Sequence, residues 1–196
     1  MDEIGAKELD ILLGALGEQL LRRSSVPTEL VVCGGAALSA LGLIPRTTRD
    51  VDILAFVVNG EVRKADPFPD SLAAAVARVA ADFHLPSMWL NPGPTSLVDG
   101  GLPEGLDRRW STRSYGTTLT VHFIGRLDQI HLKLYAAVDR GPQDRHYADL
   151  LALRPAREEI LMAARWAIGH DVSSPFRDSL RACIRALGYD DVAASI

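Results

Sequence analysis

Two aspartates separated by one residue are the feature of this chain whose chemistry is most specific. Asp50 and Asp52 open an apolar run that continues to Leu54 and is typical of a β-strand. Since residues i and i+2 of a strand point to the same face, the two carboxylates are expected to project together. Such carboxylates repel each other unless a cation lies between them. The sequence therefore predicts a divalent-cation site, with Mg²⁺ (or Mn²⁺) as the cation, because such ions prefer oxygen ligands and are held by carboxylates plus substrate phosphates.

A pair of glycines lies upstream of these aspartates, after the apolar segment 31–33 and before a run of small residues. Without a Cβ, Gly34 and Gly35 let the backbone approach a ligand closely. The N–H groups that open the following helix favour an anion. A glycine pair alone marks an ordinary turn, but joined to the two carboxylates it predicts a nucleotide phosphate site beside a metal site.

The order of these features carries a resemblance to a known family. Gly-Gly-Ala, then Gly-Leu-Ile-Pro-Arg-Thr-Thr-Arg at 42–49, then Asp-Val-Asp-Ile-Leu at 50–54 resembles the nucleotidyltransferase superfamily. Within it, the chain most resembles the minimal AbiEii-like proteins, many of which are toxin components of toxin–antitoxin pairs. A second similar block lies at 128–150 and contains Lys133 and Asp149.

The resemblance implies transfer of a nucleoside monophosphate from a nucleoside triphosphate (NTP) to an acceptor hydroxyl, with release of pyrophosphate. In that reaction Asp50 and Asp52 hold the metal and are catalytic, and Gly34 and Gly35 hold the phosphates. Arg46 and Arg49 are expected to contact phosphate or balance the aspartates, and the alternative for both is a surface cation. The acceptor stays open: RNA such as tRNA, a protein, or a small molecule such as an aminoglycoside. An antitoxin protein is a further implied partner.

Lys133 and Asp149 complete the catalytic residues that the resemblance implies. Lys133 is expected to neutralise the triphosphate, and the alternative is a solvated helix cation. Asp149 is expected to act as a base or to organise the site, and the alternative is a helix cap or an ion-paired residue.

One departure from the family pattern concerns a third carboxylate. Many members carry it on a later strand, where this chain offers Thr120 and His122. Either one metal suffices, or Asp149 or another acid supplies the charge, or activity has been lost. The last alternative gives a second hypothesis: a catalytically degenerate module that binds a nucleotide or a protein.

The expected fold class is α/β (α+β), with a small mixed sheet, flanking helices and a C-terminal helical subdomain. A nucleotidyltransferase-like core is predicted at 1–125 and the helical subdomain at 126–196. Helices are predicted at 4–22, 35–43, 71–83, 127–139, 144–153, 156–168 and 175–187. Strands are predicted at 29–33, 50–57 and 119–123, the last pairing with 50–56. Prolines and glycines in 84–106 predict neither helix nor strand there.

Composition excludes several classes of protein. A net charge of -4 and a pI near 5.7 argue against nonspecific coating of nucleic acid, although basic patches around Arg108, Arg109 and Arg113 could meet RNA locally. Cys33 and Cys183 have no spacing that suggests zinc or a disulfide framework. The N-terminal residues lack the pattern of a signal peptide, and no segment suits a membrane span, so a cytoplasmic location is expected.

Overall fold

The apolar periodicity of the N-terminal half produces a helix packed on a mixed sheet. A computed structural model of the protein describes residues 3–23, 26–141 and 144–196. Its helices are α1 (Ala6–Arg23), α2 (Gly34–Ala40), α3 (Asp70–Phe83), α4 (Arg126–Arg140), α5 (Arg145–Leu153), α6 (Arg157–His170), α7 (Ser174–Ala186) and α8 (Asp190–Ser195). Its strands are β1 (Thr28–Cys33), β2 (Val51–Val58), β3 (Glu61–Arg63), β4 (Leu90–Asn91), β5 (Ser111–Tyr115) and β6 (Leu119–Phe123). The predicted α/β class, a mixed sheet with flanking helices, is confirmed.

The sheet has the strand order β3-β2-β1-β6-β5, and β4 pairs with one end of β2. β1 runs antiparallel to β2 and parallel to β6. The predicted pairing of 119–123 with 50–56 is therefore wrong, because β1 lies between these two strands. The physical reason is visible in β1 itself, whose residues from Leu30 to Cys33 are all buried, as expected of a central strand.

The prediction for 84–106 is also wrong in part. This segment contains β4, which pairs with Val51 and Asp52, and a 3₁₀-helix at Gly93–Val98. Pro94 fits the first turn of this helix because the N–H that a proline lacks would have no partner there. Trp89, fully buried, donates its indole N–H to the carbonyl of Val76 at 3.1 Å and anchors the segment.

Besides β4, two further strands escaped prediction for different reasons. β3 follows the dipeptide Asn59-Gly60, in which both residues have positive φ, and this dipeptide is a recognisable hairpin signal. β5 has the sequence Ser-Thr-Arg-Ser-Tyr and is half-buried at most, so it carries no apolar alternation. Pairing with β6 alone places it at the edge of the sheet.

The chain divides into two compact units. The first comprises Met1–Asp99 and Asp107–Ile124, and the second comprises Gly100–Leu106 and Gly125–Ile196. In the first unit, buried leucines of α1 share one apolar core with residues of the sheet and of α3. The second unit contains α4 to α8. That 1–125 and 126–196 are separate domains stays a prediction. Within the described residues, no helix is long and apolar enough to cross a membrane.

Candidate functional site

The end of β1 brings the first glycine of the pair against an aspartate. Gly34 directly follows β1 and has a φ of +67°, in the region that favours glycine. Cys33 and Asp52 are partners in the antiparallel pairing of β1 with β2. A Cβ on Gly34 would lie only 2.5 Å from Oδ2 of Asp52. The Asp52 carboxylate therefore lies directly against the backbone of the glycine turn.

Thr48 connects the second glycine to the other aspartate. Its hydroxyl is 3.2 Å from both Oδ1 and the main-chain oxygen of Asp50, to which it donates. A Cβ on Gly35 would lie 2.7 Å from Oγ1 of Thr48. Sequence analysis did not single out Thr48. The signal that could have found it is a hydroxyl residue two positions before the aspartate, a spacing suited to local hydrogen bonding.

A cation also lies beside this turn. Nη2 of Arg46 would be 2.9 Å from a Cβ on Gly35, and its Nη1 donates to the main-chain oxygen of Thr47 at 3.2 Å. Arg49, the other arginine of this loop, is exposed. Of the two, Arg46 is thus the one that the structure places at the glycine turn.

The loop 46–50 is held in place by the N-terminal segment. The main-chain N–H of Ile4 donates to the oxygen of Thr48 at 2.6 Å, and the N–H of Thr48 donates back to Ile4 at 2.9 Å. The hydroxyl of Thr47 donates to the carboxylate of Glu3 at 2.8 Å. The two main-chain bonds with Ile4 fix the backbone that carries Arg46 and Asp50.

β4 places an asparagine next to Asp52. Asn91 pairs with Asp52 in the parallel register of β2 and β4, and paired residues of neighbouring strands project to the same face. Its Oδ1 accepts the N–H of Gly93 at 2.9 Å, which fixes the amide. Sequence reasoning missed Asn91 because it lies in the proline-rich segment that predicted no strand.

β6 is the strand on which the family resemblance implies a third carboxylate, and it carries Thr120 and His122 there. His122 on β6 is buried, with its two ring nitrogens 2.9 Å from the hydroxyl of Thr112 and 3.1 Å from Oε2 of Glu29. Its ring also stacks on Trp110 with centroids 4.2 Å apart. Across the described parts of the chain, no group of three or more His, Cys, Asp and Glu residues is arranged to hold a metal ion.

The donors beside the glycine turn nevertheless suit a hard divalent cation. Asp50 and Asp52 provide carboxylate oxygens, and Asn91 provides an amide oxygen in register with Asp52. In protein sites of this kind, phosphate oxygens of the substrate supply further ligands. This combination of one or two carboxylates with substrate phosphates is the usual protein environment of Mg²⁺.

In the second unit, Lys133 and Asp149 form a buried ion pair. Nζ of Lys133 on α4 is 2.7 Å from Oδ2 of Asp149 on α5, and the two side chains are 3% and 4% exposed. Lys133 is therefore not a solvated helix cation. Of the alternatives for Asp149, the ion-paired residue is the one that the structure shows.

His146, which is half-buried, lies next to this ion pair. Its Nδ1 is 3.3 Å from Nζ of Lys133. Burial, together with the nearby charge of Lys133, lowers the pKa of His146 to about 4. At neutral pH the imidazole is therefore uncharged and accepts a hydrogen bond from the ammonium. Asp144 caps α5 by accepting the N–H of His146 at 2.9 Å, a bond that lowers the pKa of this carboxyl group.

The predicted site residues thus fall into two groups. Gly34, Gly35, Arg46, Asp50 and Asp52 are neighbours in the first unit, and Lys133 and Asp149 are partners in the second unit.

Comparison with known proteins bears on the first group. The family model described as nucleotidyl transferase AbiEii toxin, type IV toxin–antitoxin system, matches residues 18–87. This segment contains the glycine turn and both aspartates, so the resemblance to this family is confirmed over these residues. Lys133 and Asp149 lie outside the matched segment. A search of curated proteins and a search of solved structures each gave no match.

Proposed function

We propose that the protein is a nucleotidyltransferase that moves a nucleoside monophosphate from an NTP to an acceptor hydroxyl and releases pyrophosphate. The observation that carries this proposal is the contact between the Asp52 carboxylate and the backbone of Gly34. It brings a carboxylate that can bind a metal ion to the glycine turn that opens α2. The match to a nucleotidyltransferase toxin family over 18–87 supports both the reaction and a role in a toxin–antitoxin pair.

Asp50 and Asp52 are the residues assigned to hold Mg²⁺ or Mn²⁺, with Asn91 as a further oxygen donor. A divalent cation bound there supplies charge neutralisation for the phosphate oxygens and the leaving pyrophosphate. Thr48 keeps the Asp50 carboxylate in place through its hydroxyl. The chain's own contribution is thus a preorganised set of oxygens, because positioning and electrostatics dominate phosphoryl-transfer catalysis.

The cation assigned to the triphosphate is Arg46. It lies beside Gly35 in the first unit, and its planar guanidinium can bind two phosphate oxygens at once. The ammonium of Lys133, by contrast, is 3% exposed and paired with Asp149. The catalytic roles that the family resemblance implies for Lys133 and Asp149 stay predictions.

The acceptor class stays open among RNA such as tRNA, protein and small molecules. The proposed physiological partner is an antitoxin protein, because the matched family is the toxin of a type IV toxin–antitoxin system.

A second candidate function is a catalytically degenerate module that binds a nucleotide or a protein without turnover. The observation that favours it is β6, where His122 faces Glu29 and Thr112 and no carboxylate occupies the position of the family's third acid. When a nucleotide is its ligand, such a module would bind NTP and release no pyrophosphate.

The experiment that separates the two candidates measures pyrophosphate release from each of the four NTPs with Mg²⁺ or Mn²⁺. Pooled RNA and a protein extract serve as acceptors. Wild type is compared with Asp52→Ala and with Asp82→Ala, a matched control on the exposed side of α3. Release by wild type and Asp82→Ala, reduced by roughly a hundredfold in Asp52→Ala, supports the enzyme. NTP binding without release by any variant supports the degenerate module.

A further inference from the structure

Arg113, on the edge strand β5, makes contacts in three directions within the first unit. Its Nη1 donates to Oδ1 of Asp10 on α1 at 3.0 Å, and its Nη2 donates to the main-chain oxygen of Ala40 at 2.6 Å. Its guanidinium carbon also lies 5.2 Å from the centre of the Phe123 ring. The planar fork of an arginine is suited to binding two acceptors at once in a fixed geometry.

Tyr115 also binds Asp10, the acidic partner of Arg113. Its hydroxyl donates to Oδ1 of Asp10 at 2.5 Å. Burial raises the pKa of the Tyr115 phenol, and the hydrogen bond to Asp10 raises it further. The phenol therefore stays protonated at neutral pH and remains a donor. Arg113, Asp10 and Tyr115 together are called the brace.

The acceptor at the other end of the brace belongs to the helix that carries the glycine turn. Ala40 is the last residue of α2, and Gly34 is its first. The carbonyls just before it accept from the following turn, Ala37 from Leu41 and Ser39 from Gly42, while that of Ala40 accepts from Arg113. A cation at this end also favours the helix electrostatically.

A short helix transmits a displacement from one end to the other. α2 has seven residues, so its two ends are about 9 Å apart at 1.5 Å of rise per residue. Its hydrogen-bonded backbone moves as one piece. A change in the position of the Ala40 carbonyl is therefore expected to shift Gly34 and Gly35 relative to Asp52 and Thr48. These two side chains lie close against the glycine backbone.

We infer that the brace is a positioning device for the nucleotide site: Arg113 holds α2 at its C-terminal end and thereby sets where the glycine turn meets the phosphates. This inference rests on the proposed function. In the described contacts Arg113 touches neither the glycine turn nor Asp50 and Asp52, so it is a positioning residue.

A general stabilising role makes a different prediction. The Arg113 and Asp10 side chains are 33% and 49% exposed, and ion pairs at such exposure contribute little to the free energy of unfolding. A merely structural contact would therefore leave both the local dynamics of α2 and the affinity for NTP nearly unchanged. A positioning role changes both, while the rest of the unit keeps its protection.

The test uses the full chain with Arg113→Met, the conservative variant Arg113→Lys, and Arg78→Met as a control. Arg78 pairs with Asp82 on the surface of α3 and makes no described contact with α2. Two quantities are measured: hydrogen exchange of the amides in 34–43, and the KM and kcat of pyrophosphate release from NTP with Mg²⁺. We expect exchange in 34–43 and the KM to rise roughly tenfold in Arg113→Met, with an intermediate effect in Arg113→Lys.

Exchange that stays unchanged in 34–43, or that rises equally in α1 and α3, overturns the inference. A local rise in exchange with an unchanged KM overturns it as well, because the turn would then not depend on the brace. The failure of the proposed function looks different: wild type itself would release no pyrophosphate. In that case exchange in 34–43 is measured with and without Mg²⁺ and ATP, and equal protection by the nucleotide in wild type and Arg113→Met overturns the inference.

Discussion

The carboxylate of Asp52 lies so close to Gly34 that any side chain on this glycine would collide with it. A Cβ there would be 2.5 Å from Oδ2 and 3.4 Å from the carboxyl carbon. The contact joins the two halves of the candidate site, since one residue is assigned to the metal and the other to the phosphates. Because Gly42 also has a positive φ but no such neighbour, comparing the two glycines separates the effect of crowding from the effect of backbone strain.

Gly34→Ala is expected to abolish activity beyond what strain explains. Gly34 has a φ of +67° and Gly42 has a φ of +63°, but a Cβ on Gly42 meets nothing within 4 Å. Both alanine variants should lose about 1 kcal/mol of unfolding free energy, because alanine is disfavoured at positive φ. Only Gly34→Ala should also displace Asp52. Denaturant unfolding and pyrophosphate release are the measurements, and equal activity in the two variants would contradict the assignment.

Thr48→Val is expected to reduce turnover while the fold persists. The hydroxyl of Thr48 holds Asp50 at 3.2 Å, and valine removes that bond while keeping a similar shape. A decrease in kcat of roughly tenfold follows if Asp50 must be fixed to hold its ligand. Thr47→Val is the control, because its hydroxyl bonds Glu3 at the exposed side of the same loop. Were the two variants equally active, Thr48 would have no part in positioning Asp50.

The proximity of the glycine turn to the two aspartates could be predicted from the sequence for a physical reason. The glycine turn, α2 and the start of β2 are consecutive, and the alternation of a strand and the conformational needs of a turn are local properties. The pairing of β6 with β1 instead of β2 was not predictable in this way, since alternation shows which face of a strand is buried but not which strand lies beside it. Asn91 escaped for a related reason: β4 has two residues, too few for any periodicity.

The partnership of Lys133 with Asp149 shows the same limit in the helices. Both residues were named from the family resemblance, yet the helical pattern of 127–139 and 144–153 does not reveal that one side chain meets the other. Two charges in a low-dielectric interior must pair, and the burial of both side chains shows that Lys133 is not solvated and that Asp149 is ion-paired.

Removing one partner of that pair is expected to destabilise the protein strongly. Lys133→Met leaves the Asp149 carboxylate buried without its cation, which should cost about 3 kcal/mol of unfolding free energy. The double variant Lys133→Met, Asp149→Leu removes both charges and should recover most of that loss. Lys64→Met, which breaks an exposed pair with Asp99, is the control and should change stability by less than about 1 kcal/mol. A double variant as unstable as the single one would refute the pairing argument.

The pH dependence of stability should report on His146. Burial and the charge of Lys133 lower its pKa from 6.5 to about 4 in the folded protein. Above pH 6.5 the imidazole is neutral in both states, so the full stability is present. As the pH falls from 6.5 towards 4, the unfolded chain binds the proton first, and stability is lost progressively, by up to about 3 kcal/mol.

His146→Gln removes this titration and keeps a hydrogen-bond acceptor near Nζ of Lys133. The difference between the wild-type and variant unfolding free energies should therefore change between pH 6.5 and pH 4 and be constant above pH 7. Taking the difference cancels the titration of neighbours that face His146 and occur in both proteins, Asp144, Arg145 and Asp149 among them. Urea unfolding at half-unit pH steps provides the measurement. A difference that is independent of pH over this range would show that the imidazole is not buried against the Lys133 ammonium.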